Sequence, residues 1–247
     1  MTNKTAIERD AADSFVRDAA NHQMTVLHDD GLYRHLRFAA PDHGFSWFEL
    51  ITWPGALAIR GDHGGHTFAR TDDMFTFFRR NGNTRGINPG YWAEKLPDGG
   101  RSVQVYSEDV LRAELDSHLA EYAEAYPRLK SDYATAKEAY DGLPRTEQWQ
   151  KPEPVEPKSP AEIQETIADY DADGALSYES GAREMLAGLE RAGVVSDTWE
   201  WDLSDWDYHY LWCCHAIVWG IAQYDAAKPV PTVQNGVQTV ELAGVSR

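Results

Sequence analysis

The stretch that decides the fold reads FSWFELITWPGALAIRGDHGGHTFARTDDMFTFFRR and covers residues 45–80. Its first part is rich in aromatic and β-branched residues that alternate with other side chains, which is typical of a strand with a buried face. Turn residues at 53–55 and 61–65 divide the stretch into three strands, because proline fixes φ and glycine accepts positive φ. Thr71, followed by two aspartates, predicts a helix start. The stretch therefore predicts an antiparallel meander that leads into a short apolar helix.

The same alternation extends upstream of this stretch. Residues 24–28 and 32–39 each alternate and are separated by a turn, so we expect a meander of four or five strands. Residues 5–22 have the spacing of an amphipathic helix. Downstream, a glycine-rich segment contains a short helical piece, and residues 102–106 predict an edge strand.

The second half of the chain is predicted to be helical. The segments with helical apolar spacing are 107–141, 161–170, 182–191 and 204–224. Pro127 is expected to kink or split the first of them, because proline removes a helical hydrogen bond. Ser204 and Asp207 resemble a capping box at the start of the last one. We expect that last helix to close the apolar side of the sheet.

These elements predict an α+β protein in which an N-terminal antiparallel meander packs against helices and a C-terminal helical region folds back on it. The predicted organisation is a sheet-plus-helix region at 1–143, a proline-rich strap at 144–160, a helical region at 161–227 that completes the same core, and a tail at 228–247. The proline-rich segment is either an extended linker or a surface strap. The tail carries an Asn235-Gly236 hairpin signal, with a disordered tail as the alternative.

Several sequence words resemble an uncharacterised protein family encoded in bacteriophage and prophage genomes. They are T-W-P-G at 52–55, G-D-x-G at 61–64, D-M-F-x-F-F-R at 73–79 and I-N-P-G-Y-W-x-E-K-L at 87–96. The segment LWCCHAIVWGIAQYD at 211–225 resembles the C-terminal helix of that family. The resemblance implies a viral setting and the cytoplasm of the bacterial host, and it brings no catalytic assignment.

The charge of the chain restricts its partners. The formal net charge is -17, which argues against direct binding to nucleic-acid phosphates. Solubility, a basic protein partner and mimicry of nucleic-acid charge remain as interpretations. The two cysteines are adjacent, at Cys213 and Cys214, which is typical of a reduced cytosolic protein. We expect neither a signal peptide nor a membrane span.

An acidic segment at 169–180 resembles an EF-hand calcium loop. Asp169, Asp171 and Asp173 occupy positions one, three and five, and glycine occupies position six. Position twelve departs from the pattern, because it is serine and Glu179 comes one residue early. The alternative is an acidic interhelical loop. No cofactor is expected other than calcium at these residues.

A ligand pocket is predicted at residues 61–66 and 88–95. Its candidate residues are Asp62, His63, His66, Asn88, Tyr91 and Trp92. Two histidines and a carboxylate suit a transition metal, but no third ligand has diagnostic spacing, so solvated turn histidines are the alternative. The sequence contains no nucleophile elbow, P-loop or dinucleotide-binding glycine pattern, and it does not indicate a reaction.

An acidic-aromatic patch is predicted at residues 199–206. Its members are Trp199, Glu200, Trp201, Asp202, Asp205 and Trp206. Such a patch suits a basic, arginine-bearing surface through ion pairs and cation–π contacts. The alternative is that the tryptophans hold the final helix against the sheet.

The leading functional hypothesis is a phage-encoded acidic accessory protein that binds a host or defence protein with a basic surface. One alternative is a small-ligand-binding protein or enzyme that uses the predicted pocket. Another is a scaffold stabilised by calcium.

Overall fold

Five strands form one antiparallel sheet in the computed structural model, which describes residues 4–42, 44–80 and 86–228. The strands follow chain order: β1 (Gln23–Asp30), β2 (Tyr33–Ala39), β3 (Phe48–Trp53), β4 (Ala56–Gly61) and β5 (Gly64–Ala69). Leu36 lies opposite Leu50, and Leu50 lies opposite Ile59, so one face presents a continuous row of buried aliphatic side chains. The predicted meander is confirmed.

The described residues also contain eight helices. They are α1 (Lys4–Asp18), α2 (Met74–Arg80), α3 (Pro89–Ala93), α4 (Glu108–Asp141), α5 (Arg145–Gln148), α6 (Pro160–Ala172), α7 (Glu179–Arg191) and α8 (Tyr208–Ala227). Two short strands, β6 (Gln104–Tyr106) and β7 (Ser204–Trp206), pair as a second antiparallel sheet. The predicted edge strand thus exists, but it pairs with β7 and not with the meander.

Helix α8 closes the apolar face of the sheet. Leu211 and Trp212 are fully buried, and Val218 and Trp219 pack partly buried against the same core. Gly220 brings the helix backbone close to β2 and β3, where Phe38 and Leu50 lie against it. The predicted α+β class, with the C-terminal helix folded back on the strands, is confirmed.

The start of α8 differs from the prediction. The helix begins at Tyr208, and the carboxylate of Asp207 caps it by accepting the Tyr210 N–H at 2.8 Å. Ser204 is instead the first residue of β7, because its backbone pairs with β6. The predicted Ser204–Asp207 capping box is therefore wrong.

Two further helix predictions can be compared with the structure. Helix α2 is capped by Asp73, which accepts the Phe75 N–H at 3.1 Å, whereas the Thr71 hydroxyl donates to the Asp73 carbonyl. Of the two outcomes predicted at Pro127, a split does not occur, because α4 is one helix that contains the proline. Because Ala123, four residues earlier, is exposed, water can satisfy the carbonyl that the proline leaves free.

The predicted single core is divided into two hydrophobic clusters. The first joins the sheet with α1, α2, α3 and α8, and the second joins the first half of α4 with α6 and α7. Each cluster combines residues from before and after the proline-rich strap. The apolar faces of α4, α6 and α7 cover one another, so only α8 of the C-terminal helices is needed to cover the sheet.

The strap runs back along α4 as a surface segment. The Tyr122 hydroxyl donates to the Lys158 carbonyl at 2.9 Å, and Lys137 pairs with Glu153 at 2.7 Å. Lys130 also pairs with Glu156. We refer to residues 127–159, which comprise the second half of α4, α5 and most of the strap, as the arm.

None of the helices in the described ranges combines the length and apolar composition that a bilayer span requires. The Asn235-Gly236 hairpin signal lies outside the described residues.

Candidate functional site

A cavity of about 270 Å³ opens where the β4–β5 turn meets the start of α8. We refer to it as the histidine cavity. Its lining residues are Asp62, His63, Gly64, Gly65, His66, Ser102, Asp207 and His209. The cavity therefore joins residues of the β4–β5 turn with residues at the start of α8, which lie more than 140 positions later in the sequence.

The β4–β5 turn that carries His63 is tightly fixed. Gly64 has a φ of 92°, which favours glycine. A Cβ at Gly61 would lie 2.1 Å from the Trp47 carbonyl oxygen, so this position also requires glycine. The Asp62 N–H donates to the same carbonyl at 3.1 Å. The turn is thus anchored on the segment before β3.

The His63 ring has contacts on one face and at both of its nitrogens. Its ring stacks on Trp212 with centroids 4.0 Å apart. Its Nδ1 lies 3.1 Å from Nδ1 of His209, and its Nε2 lies 3.3 Å from Ser46 Oγ. The Asp18 carboxylate lies 3.9 Å from the same Nε2. The imidazole is therefore oriented by contacts with four residues.

The surroundings of His63 and His66 favour the neutral form of these two imidazoles. Burial lowers the pKa of His63, and the nearby His209 lowers it further, although Asp18 and Asp62 act in the opposite direction. Burial also lowers the pKa of His66, against the opposing effect of Asp207. Two protonated rings at the His63–His209 distance would place two N–H donors face to face. At neutral pH the ring nitrogens of His63 and His66 can therefore act as acceptors or metal ligands.

The cysteines beside the cavity do not supply a nucleophile. Burial raises the pKa of the Cys213 thiol to about 12, and Cys214 is completely buried, which raises its pKa as well. Only a thiolate is a strong nucleophile, so both side chains act as apolar core residues at neutral pH.

The structure assembles one half of the predicted pocket. Asp62, His63 and His66 line the histidine cavity, but residues 88–92 lie elsewhere. Asn88 caps α3 by accepting the Tyr91 N–H, and Trp92 is fully buried edge-to-face against Phe78. Tyr91 packs partly buried against the first cluster.

His209 is a cavity residue that the sequence did not reveal. In the predicted helix starting at 204 it occupies an ordinary exposed helical position. Once Asp207 is recognised as the cap, His209 falls in the first turn of α8, next to the β4–β5 turn.

The acidic-aromatic patch is divided between surface and interior. Trp199, Glu200 and Asp202 are exposed, and the Trp199 side chain is 75% accessible. Trp201 stacks on His118 with centroids 4.5 Å apart. The other two members are structural, since Asp205 is buried and Trp206 packs against the first cluster.

The exposed part of that patch lies in a strongly anionic segment, whose exposed carboxylates we call the acidic face. Residues 160–202 carry eleven acidic residues and two arginines. Ten of these carboxylates are exposed: Glu162, Glu165, Asp169, Asp171, Asp173, Glu179, Glu184, Asp197, Glu200 and Asp202. This surface covers α6, α7 and the turn that follows them.

The calcium-like segment is not a single loop. Helix α6 extends to Ala172, so Asp169 and Asp171 lie within it, and Asp173 directly follows it. Asp171 pairs with Arg112 at 2.6 Å, which favours the two additional helical residues. Glu179 begins α7 and pairs with Arg183. In the part of the chain that the structure describes, no three His, Cys, Asp or Glu side chains converge as a metal-binding group.

Comparisons of the chain with protein-family models, with curated proteins and with solved structures gave no match. The resemblance to the phage and prophage family stays a prediction, and the function is inferred from the residues of this chain.

Proposed function

We propose that this protein is an acidic binding protein that captures a host or defence protein through the acidic face. The observation that carries the proposal is an exposed tryptophan, Trp199, within a surface of ten exposed carboxylates. A partner with arginines on its surface would form ion pairs with the carboxylates and stack a guanidinium on the indole.

The distribution of charge supports binding over simple solubility. The arm carries six basic and six acidic residues, which is the mixed pattern that keeps a surface soluble. The segment that carries the acidic face has instead a large excess of negative charge, with eleven acidic residues and two arginines. Like charges repel each other and destabilise the folded chain, and a basic partner would offset that repulsion.

Trp199 is presented by a rigid turn. Arg183 of α7 donates to the Thr198 carbonyl at 2.9 Å and to the Trp201 carbonyl at 3.0 Å, on either side of the tryptophan. The Thr198 hydroxyl donates to Glu190 at 2.7 Å. An aromatic side chain on a fixed backbone loses little entropy on binding, which is a property of residues that dominate interfaces.

The test compares two matched triple variants. The first, Glu184→Gln/Trp199→Ala/Glu200→Gln, alters the acidic face. The control, Glu138→Gln/Glu147→Gln/Trp149→Ala, makes the same changes on the arm, where Trp149 is 89% accessible. Affinity capture from host lysate at physiological salt, followed by mass spectrometry, identifies retained proteins. Purified partner then gives the affinities.

We expect the wild type and the arm variant to retain the same basic protein, and the acidic-face variant to lose at least about tenfold in affinity. Equal retention by both variants would show that the partner binds elsewhere. Absence of a specifically retained protein would contradict the proposal as a whole.

A further inference from the structure

We propose that the histidine cavity binds a divalent transition-metal ion of the Zn²⁺ class, with Nδ1 of His63 and Nδ1 of His209 as its protein ligands. The proposal concerns a different surface from the acidic face and does not depend on partner capture.

The spacing of the two nitrogens fits a shared ion. They lie 3.1 Å apart. Zinc–imidazole bonds of about 2.0–2.1 Å in tetrahedral geometry place two ligand nitrogens about 3.3 Å apart. An adjustment of a few tenths of an ångström therefore converts the pair into two ligands. Without metal, one neutral ring donates its Nδ1–H to the other. When the ion binds, the proton of the donor ring moves to its Nε2, so that both neutral rings present an Nδ1 lone pair to the ion.

The other nitrogen of His63 has the surroundings of a metal ligand. Ser46 Oγ and the Asp18 carboxylate lie on its Nε2 side, at 3.3 and 3.9 Å. Histidines that bind metals usually donate their second N–H to such an acceptor, which fixes the tautomer. The Trp212 ring stacked on the imidazole fixes its plane. The ligand is thus oriented before an ion arrives.

The remaining coordination positions would be taken by water. Within residues 4–42, 44–80 and 86–228 no third His, Cys, Asp or Glu joins the pair as a metal-binding group. Asp62 and Asp207 line the same cavity and supply negative charge near the ion. Imidazole suits Zn²⁺, Cu²⁺ and Ni²⁺, whereas Ca²⁺ and Mg²⁺ prefer oxygen. A site with two protein ligands would bind more weakly than a closed structural zinc site and would keep open positions.

Untagged protein is titrated with ZnCl₂ by calorimetry at neutral pH and with CoCl₂ by visible absorption. We expect one saturable ion per chain, with ligand-field bands for Co²⁺. His209→Ala should weaken binding at least about tenfold, since it removes one of two ligands. His209 is exposed, so this change leaves the core intact. The matched control is His28→Ala, which removes an exposed histidine from β1.

A second variant tests the negative charge beside Nε2 of His63. Asp18 accepts the Trp212 Nε1–H at 3.0 Å, and Asp18→Asn keeps an oxygen for that bond but removes the charge of the carboxylate. We expect it to weaken metal binding by about 10–100-fold. Circular dichroism checks the fold of each variant. Three results would overturn the proposal: no saturable uptake by the wild type, equal uptake by folded His209→Ala, or loss of uptake in His28→Ala.

Discussion

Gly220 of α8 lies against Leu50 of β3 so closely that a Cβ on the glycine would sit 2.8 Å from the leucine Cδ1. It would also sit 3.1 Å from the Phe38 ring. Both neighbours are fully buried, so they have little room to move. The spacing between helix and sheet is therefore set by the absence of a side chain at this position.

Gly220→Ala should destabilise the protein. Forcing a methyl group into a packed core costs about 1–3 kcal/mol, which exceeds the gain of up to about 1 kcal/mol in helix propensity. Urea denaturation measures the difference. The control is Gly188→Ala in α7, where the nearest atom is 4.0 Å away, and we expect that change to stabilise the protein. A Gly220→Ala protein as stable as the wild type would show that the sheet and helix can separate without cost.

Glu49 should make stability depend on pH in the acidic range. This carboxylate is only 3% exposed and accepts hydrogen bonds from His35, Arg37 and Arg60. Burial alone would raise its pKa, but hydrogen bonds from Arg60, His35 and Arg37 lower it to about 2, from 4.5. A depressed folded pKa stabilises the protein above the unfolded pKa. That stabilisation is lost as pH falls from 4.5 towards 2.

The measurement is the free energy of unfolding of wild type and Glu49→Gln between pH 7 and pH 2. Both arginines are well exposed to water, so the solvent weakens their interaction with Glu49. We therefore expect wild type to be more stable than Glu49→Gln by about 2 kcal/mol at pH 7, and we expect this difference to disappear in acid. Glu138→Gln, an exposed change on α4, controls for the general effect of charge. An unchanged pH dependence in Glu49→Gln would contradict the prediction.

Arg183 should stabilise the turn that presents Trp199. Arg183→Ala leaves two carbonyl acceptors without their charged donor, and we expect a loss of about 1–3 kcal/mol. The control is Arg191→Ala, which removes the same charge from an exposed position on the same helix. Urea denaturation and partner affinity are both measured. Equal losses of stability in the two variants would show that the effect comes from the charge of the arginine and not from its hydrogen bonds to the turn.

Partner binding should weaken with salt. The Debye length falls from about 10 Å at 0.1 M to 3 Å at 1 M, which screens exposed charges. We therefore expect the affinity for the captured partner to fall at least about tenfold over this range, mainly through slower association. The acidic-face variant should show a shallower salt dependence than the arm variant when both are measured by surface plasmon resonance. Identical slopes would exclude the acidic face as the source of attraction.

Local sequence patterns predict the strands and helices whose structure depends mainly on residues nearby in the sequence. The alternation in residues 45–60 identified β3 and β4, because each hairpin register follows from adjacent residues. Helical spacing predicts a helix that includes residues 204–206, because the strand with which they pair, β6, lies about a hundred residues away in the sequence. The division into two clusters was also missed, because an apolar stripe does not specify which surface will cover it.

The same limit applied to the site. His63 was identified as a candidate from its turn, but His209 is 146 residues distant in sequence and meets it only through the packing of α8 on the sheet. The EF-hand-like pattern likewise does not show that Asp171 pairs with Arg112 of α4, which lies far from it in sequence.

The contact between Tyr122 and Lys158 brings the two ends of the arm together, so the arm projects from the rest of the fold. The polypeptide leaves the second cluster along α4 and returns to nearly the same point. The length of the arm therefore does not determine the position of any core element. A fluorescent reporter inserted near Trp149 would extend the tip and leave both cores and the acidic face in place.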